Sequence, residues 1–268
     1  MNLDVKGPKV YFELPFDLPD SSIFTMKNLV TQTTVSLLAV TVILVIIALI
    51  ATRSLNKKKP GGLQIVAEKL INMLYGLVEG TMGKHNLKFA PYIGTVFLSS
   101  IIGTLIGMTQ LFRSTTADLS VTAAWALVTT GMVWYNNIKN FGFLTWLKGF
   151  TEPIAVMTPM NIVSEIANPI SMAFRHFGNV AGGSVLTALI YGALTAASGA
   201  LFSWLPGALS QIPFLAAGIP AALSVYFDLF SGFVQALVFS LLTMIYVGGA
   251  CPPPEELPEK KRKNKDVQ

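Results

Sequence analysis

The residue with the most distinctive chemistry in this sequence is Arg175, which lies in a stretch that otherwise has the composition of a membrane-buried helix. Arginine keeps its positive charge at any biological pH, and that charge costs about 3 kcal/mol at mid-membrane on insertion scales. Between Glu165 and Glu255 the only other formally charged residue is Asp228. A chain that keeps two charges in so long an apolar stretch is expected to use them.

Polar residues recur around both charges at helical spacing. The first stripe steps by three or four residues, which places its members on one helix face: Asn168, Ser171, Arg175 and Asn179. Glu165 lies nearer the predicted cytoplasmic end, and Ser184 lies nearer the outside on roughly the opposite face. A second stripe in the last apolar stretch contains Asp228, Ser231 and Gln235.

Two polar stripes on neighbouring apolar helices have two interpretations. Arg175 could pair with Asp228 while the amides and hydroxyls join the helices, or the stripes could line an ion path. The ion path is favoured because the two charges are predicted at different depths and polar groups lie on both sides of Arg175. A fixed arginine would keep a passing carboxylate ionised and would repel free cations. An ion could then cross only on a mobile partner.

The bulk composition defines the class of protein. Of 268 residues, 52% are hydrophobic and 12% are charged, whereas soluble domains carry about 25% charged residues. The mean hydropathy is +0.59. A single cysteine excludes an intrachain disulfide, and with two histidines we expect no metal site and no cofactor.

The apolar runs predict an all-α integral membrane protein with five membrane-crossing helices and one interfacial amphipathic helix. The crossings are expected at residues 28–52, 89–112, 119–138, about 161–195 and 219–247, and the interfacial helix at 63–83. Residues 1–27 are expected outside, residues 28–251 in a single membrane domain, and residues 252–268 in a disordered cytoplasmic tail. The basic clusters then all lie inside, which places the N-terminus outside and the C-terminus in the cytoplasm.

The segment 153–248 is predicted to form a long, tilted hairpin that carries the ion path. A helix over 161–195 would be about 52 Å long, against a hydrocarbon core of about 30 Å, so it must tilt steeply or break. Before this hairpin, Trp134 and Tyr135 beside Lys139 have the pattern of an interface belt. Asp118 is expected to cap the helix that begins at Leu119.

Several short stretches resemble subunit a of the F-type ATP synthase membrane sector. Residues 175–179, Arg-His-Phe-Gly-Asn, are similar to the Arg-Leu-Phe-Gly-Asn signature of that family. Residues 116–122 resemble the turn into its fourth helix, and residues 235–246 resemble its last helix. The resemblance covers roughly residues 85–248.

The resemblance implies roles for individual residues. Arg175 would be the stator arginine that faces the ring of rotor c subunits, with Asn179 and Gln235 beside it. Ser184 and Asp228 both stand where members carry Glu or His, so the outer half-channel is expected to rely on Asp228. His176 replaces the usual Leu and is expected to pack against a neighbouring helix rather than to relay protons.

The expected function is therefore that of a stator subunit with two offset half-channels for protons, coupled to rotation of the ring. It would not itself be an enzyme, and its other partners would be the peripheral-stalk subunit b and the lipid bilayer, in a bacterial plasma membrane. Glu165 would line the inner exit or extend to the cytoplasmic interface. Two alternatives stay open: a self-contained transporter that uses Arg175 and Asp228, and sodium as the coupling ion.

Overall fold

The chain is predominantly helical in the computed structural model, which describes residues 10–13, 28–53, 61–109, 112–201 and 226–256. Two four-residue strands, β1 (Val10–Glu13) and β2 (Asn28–Thr31), form an antiparallel pair ahead of the first helix. The helices are α1 (Gln32–Thr52), α2 (Gly62–Met82), α3 (Ala90–Met108), α4 (Leu119–Phe141), α5 (Phe143–Gly149), α6 (Thr158–Leu201) and α7 (Gly232–Gly249). A π-helical turn, Tyr226–Ser231, precedes α7.

The strand pair corrects the prediction at the start of the first membrane helix. The helix was expected from residue 28, but Asn28–Thr31 is extended and α1 begins at Gln32. The backbone of this segment pairs with β1, and β-branched Val30 and Thr31 suit a strand. The described chain is therefore helical as predicted, except for a small two-stranded sheet that precedes α1.

Helix α2 agrees with the predicted amphipathic helix to within one residue at each end. It ends at Gly83, whose φ of +80° is a conformation that glycine adopts without steric cost. Its apolar residues divide into a buried group, Leu74, Val78 and Met82, and an exposed group that includes Leu63 and Val66.

Four helical segments are long and apolar enough to cross a membrane among the residues described: Gln32–Thr52, Lys84–Met108, Ala155–Leu201 and Leu229–Gly249. This makes the chain a multi-pass membrane protein. Helix α4, the remaining predicted crossing, has 23 residues but a more polar sequence, and it is not among these four.

The longest element is α6, which runs unbroken for 44 residues through Pro169. It begins and ends several residues beyond the predicted 161–195 and would span about 66 Å at 1.5 Å per residue. The sequence predicted that this helix must either tilt or break, and the structure shows no break. The predicted turn after α6 and the predicted tail from 257 onward lie outside the described residues.

The chain divides into two compact units. The first consists of Met1–Leu44, Ser99–Asp118 and Phe177–Gln235, and the second of Val45–Leu98, Leu119–His176 and Ala236–Gln268. The second unit contains two apolar clusters, one around Val78, Ile93 and Met244 and one around Met172 and Phe239. Within this unit the side chains of His85 and Asn86 contact the backbone carbonyl of Cys251, at 2.9 and 2.8 Å, just after α7.

Candidate functional site

Arg175 lies on the exposed side of α6. On the same helix Met172, Ala173 and His176 are buried in the second unit, so this face anchors the helix and leaves the guanidinium outside the core. Among the residues that the structure describes, Arg175 has no hydrogen bond and no ion pair. In that part of the chain, therefore, no group neutralises its charge.

His176, the next residue, occupies a packing position. Its ring is fully buried and meets the ring of Phe239 edge-on, with centroids 5.3 Å apart, and that of Trp125 at 6.0 Å. Edge-to-face pairs of this kind stabilise a helix contact. The geometry is the one expected of a histidine that packs against neighbouring helices.

One turn beyond Arg175 on α6, Asn179 joins the last helix. Its side-chain Nδ2 donates to Oε1 of Gln235 at 2.5 Å, which connects α6 with α7 inside the first unit. Gln235 is only 3% exposed, and its Nε2 has no hydrogen-bond partner among the described residues. Buried amide hydrogens are rarely left unpaired.

Asp228 lies in the π-helical turn that leads into α7. The second polar stripe was predicted from regular α-helical spacing, and the wider turn changes the angle between Asp228 and Gln235. π-Helical turns are rare and are frequently found at functional sites. At the junction stands Gly232, where an added Cβ would lie 2.5 Å from Cγ2 of Thr104 on α3, so α3 and α7 approach closely here.

A chain of hydroxyl groups extends from this close contact within the first unit. Thr104 donates to the backbone carbonyl of Ser100 at 2.9 Å and lies 3.5 Å from the hydroxyl of Thr116, which lies 3.0 Å from that of Ser114. Thr104 and Thr116 are buried. These residues were not predicted from sequence, although the run Ser114-Thr115-Thr116 in a predicted outside turn is a visible signal.

Two predicted site residues, Ser184 and Ser171, lie on the exposed surface of α6. The hydroxyl of Ser184 donates to the carbonyl of Ala181 on its own helix at 2.7 Å, and the side chain is exposed. Ser171 is also exposed on α6. Among the described residues, the structure brings neither of them against another predicted site residue.

Glu165 lies beside a cleft of about 480 Å³ within the second unit. Its Oε1 accepts a hydrogen bond of 2.5 Å from Nε1 of Trp134 on α4. The cleft is lined by α4, α5, the segment that follows α5, and the first turns of α6: Val133, Asn137, Phe141, Thr145, Trp146, Gly149, Phe150, Asn161, Ser164 and Glu165.

A second, smaller pocket of about 50 Å³ adjoins the same carboxylate. Its walls include Asn168 together with Thr129, Thr130 and Tyr246, and it shares Val133 and Glu165 with the larger cleft. The structure therefore brings the two predicted inner residues, Glu165 and Asn168, to one pocket. Trp134 was interpreted from sequence as part of an interface belt, and its contact with Glu165 depends on tertiary structure.

These features define a class: a multi-pass helical membrane protein with an unneutralised arginine on a long apolar helix, and amide and carboxylate groups on either side of it. Among the described residues, no group of three or more His, Cys, Asp or Glu could hold a metal ion.

Comparison with known proteins gives the family. The profile of the family described as ATP synthase A chain matches residues 33–248, and the chain belongs to this family. It is 31% identical to the sodium ion specific ATP synthase subunit a of Propionigenium modestum, over 94% of this chain and 88% of that protein. It is 30% identical to ATP synthase subunit a of Anoxybacillus flavithermus, over 84% and 91% of the two chains. It is 33% identical to that of Trichlorobacter lovleyi, over 79% and 83%.

Proposed function

We propose that this chain is the stator subunit of a rotary ATP synthase. It provides two offset half-channels for protons and a fixed arginine, Arg175, that faces the carboxylates of a ring of rotor c subunits. The subunit itself makes and breaks no covalent bond. It couples ion flow to rotation, and the rest of the complex makes ATP.

The observation that carries this proposal is the exposed guanidinium of Arg175, which no described group of the chain neutralises. A charge that faces the hydrocarbon core of a membrane without a partner is expensive, so a carboxylate supplied by another subunit accounts for its presence. The arginine would keep each arriving carboxylate ionised and would exclude free cations. Each elementary charge that crosses yields about 2.3 kcal/mol per 100 mV, which biases the rotation.

The remaining site residues divide between the two sides of Arg175. Asp228 would accept ions from outside, with Ser184 as a hydroxyl nearby, while Asn168, Ser171 and Glu165 would serve the inner path. The hydrogen bond between Asn179 and Gln235 supports a role beside the arginine, since it fixes α6 against α7 one turn away. The two long helices would form the tilted hairpin that follows the ring.

The proposed topology has five crossings, with α4 as the fifth, and α2 at the cytoplasmic interface. The exposed apolar residues of α2 support an interfacial position because they would otherwise face water. The basic residues then lie inside, the N-terminus outside and the C-terminus in the cytoplasm of a bacterium. The peripheral-stalk subunit b is the other expected protein partner.

Substitution of Arg175 tests the stator function. In the complete complex, Arg175→Ala is expected to abolish ATP-driven ion pumping in inverted membrane vesicles while assembly is retained, because free cations could then pass the site uncoupled. Arg53→Ala, which removes an exposed arginine at the end of α1, is the matched control and should pump normally. Normal pumping by Arg175→Ala would overturn the proposal, and solute uptake by vesicles that contain this chain alone would favour a transporter.

A further inference from the structure

The two adjoining pockets at Glu165 carry an inference that rests on the proposed function and extends it. We propose that the inner ion path runs through the cleft formed by α4, α5 and α6, with Glu165 passing the ion between the pockets. We further propose that Trp134 is a positioning residue that holds the Glu165 carboxylate at their junction.

The two pockets meet at Glu165. Glu165 and Val133 are the two residues that line both pockets, and Glu165 is the only one of the two with a polar side chain. An ion that moves from one pocket to the other must therefore pass the carboxylate. The smaller pocket is lined by Asn168, which is two helical turns from Arg175, and the larger one is lined in part by α5.

The sizes of the two pockets suit different tasks. A water molecule occupies about 30 Å³ in the liquid, so the smaller pocket, at about 50 Å³, has room for one or two waters. The larger cleft, at about 480 Å³, has room for a small cluster of water with nearly bulk properties. An ion would therefore be held by few groups at Asn168 and released into water beyond Glu165.

The wall chemistry also favours a cation. The residues that line the two pockets include no Lys or Arg, and their titratable groups are Glu165 and the phenol of Tyr246. Amides and hydroxyls from Asn137, Asn161 and Thr145 supply neutral oxygen ligands in the larger cleft. A negative, cation-free surface raises the local concentration of cations.

The contact of Trp134 explains how the carboxylate is kept in place. An indole N–H can only donate, so it fixes Oε1 without offering a competing acceptor, and Oε2 remains for the ion. The Trp134 ring packs against Trp146 at 6.2 Å, and Trp146 packs edge-on against Phe150 at 5.1 Å. Asn161 on α6 donates to the carbonyl of Phe150 at 2.8 Å, which ties this aromatic cluster to the helix that carries Glu165.

An isostere of tryptophan separates positioning from packing. In 3-benzothienylalanine a sulfur atom replaces the indole N–H, so the shape is kept and the donor is lost. Incorporated at position 134 of the complete complex, it should slow ATP-driven ion transport about tenfold, equivalent to about 1.4 kcal/mol. Trp134→Phe should show the same loss, and neither change should add to that of Glu165→Gln in a double-mutant cycle. Full activity of the isostere would overturn the role of Trp134.

A thiol placed in the cleft tests the route itself. In a Cys251→Ser background, Thr145→Cys would be labelled with a bulky, membrane-impermeant maleimide in inverted vesicles. Labelling should reduce ion transport at least fivefold relative to the same unlabelled variant, because the adduct fills the cleft. Leu144→Cys, one residue away, 79% exposed and not on the cleft wall, is the matched control and should lose little activity on labelling.

The outcomes distinguish this inference from the proposed function. If Thr145→Cys is fully labelled and still transports ions, or if the label cannot reach it, the inner path does not run through this cleft. The stator function would survive either result as long as Arg175→Ala abolishes coupled pumping. Normal pumping by Arg175→Ala would instead remove the basis of both.

Discussion

At the scale of single residues, the site combines one uncompensated charge with side chains that are held by partners. Asn179 is fixed by Gln235, and Glu165 by Trp134. The charge pattern selected Arg175 and Asp228 from sequence as candidate site residues, because formal charges are rare in apolar stretches. It did not predict Trp134, since a tryptophan near a membrane interface has the same sequence pattern whether or not its N–H contacts an acid.

The amide pair gives a prediction at this scale. Gln235→Leu keeps the approximate volume but removes the acceptor for Asn179, whose Nδ2 then loses its partner. A hydrogen bond of this kind contributes about 0.5–1.5 kcal/mol net, so we expect the rate of coupled ATP synthesis to fall by up to about tenfold. The measurement is a double-mutant cycle with Asn179→Ala in the complete complex.

Glu68, which accepts a hydrogen bond from Gln64 on α2, offers the control pair, since it is an amide–acid contact away from the proposed path. Gln64→Leu should leave coupling nearly unchanged. Strict additivity of Gln235→Leu and Asn179→Ala would contradict a functional contact between the two side chains.

At the scale of elements, helical periodicity predicted the amphipathic helix α2 and the start of α4 at Leu119 closely. It could not predict the pairing of β1 with β2, because a strand pair depends on a contact between two separate segments of the chain. The π-helical turn at Asp228 was missed for a related reason. Residues spaced by three and four fit a regular helix, and the wider turn arises where α7 must pack against α3 at Gly232.

The close contact between α3 and α7 predicts that a methyl group added at Gly232 lowers the stability of the protein. Gly232→Ala would place a Cβ 2.5 Å from Cγ2 of Thr104, so one of the two helices must shift. Overpacking of this kind costs about 1–3 kcal/mol. We expect a lower thermal stability of the assembled complex, measured by its dissociation temperature.

The rescue of this variant comes from the other helix. Thr104→Ser removes the clashing methyl group and keeps the hydroxyl that faces Thr116, so the double variant should recover part of the lost stability. Gly131→Ala on α4, where an added Cβ meets no atom within 4 Å, is the control and should have little effect. Equal stability of Gly232→Ala and the parent would show that α3 and α7 are further apart than described.

At the scale of the whole molecule, composition and apolar runs predicted a multi-pass membrane protein, and the family match confirms the resemblance found in residues 175–179. Sequence predicted five crossings, whereas four described helices are apolar enough to cross a membrane. The difference is α4, which is long enough for a membrane but has a more polar sequence than the other spans. Its polar residues include Thr129 and Asn136, which are buried against the rest of the second unit.

The coupling ion gives a prediction for the complete assembly. We expect ATP-driven acidification of inverted vesicles to proceed without sodium, because the proposed function assigns protons to the two half-channels. The assay follows a pH-sensitive dye with and without added sodium, and sodium-22 uptake in parallel. Sodium is the second candidate for the coupling ion. Transport of sodium-22 with no acidification would establish it.

Helix α6 has a consequence for how the subunit is made. No residue in its most apolar 18-residue window is buried, within the part of the chain that the structure describes. A newly inserted subunit would therefore present this part of the helix to lipid. On the proposed function, Arg175 would then still lack its counter-charge, and such a chain would be an incomplete folding unit until the ring arrives. We therefore expect the cell's quality control to recognise an orphaned copy by this helix.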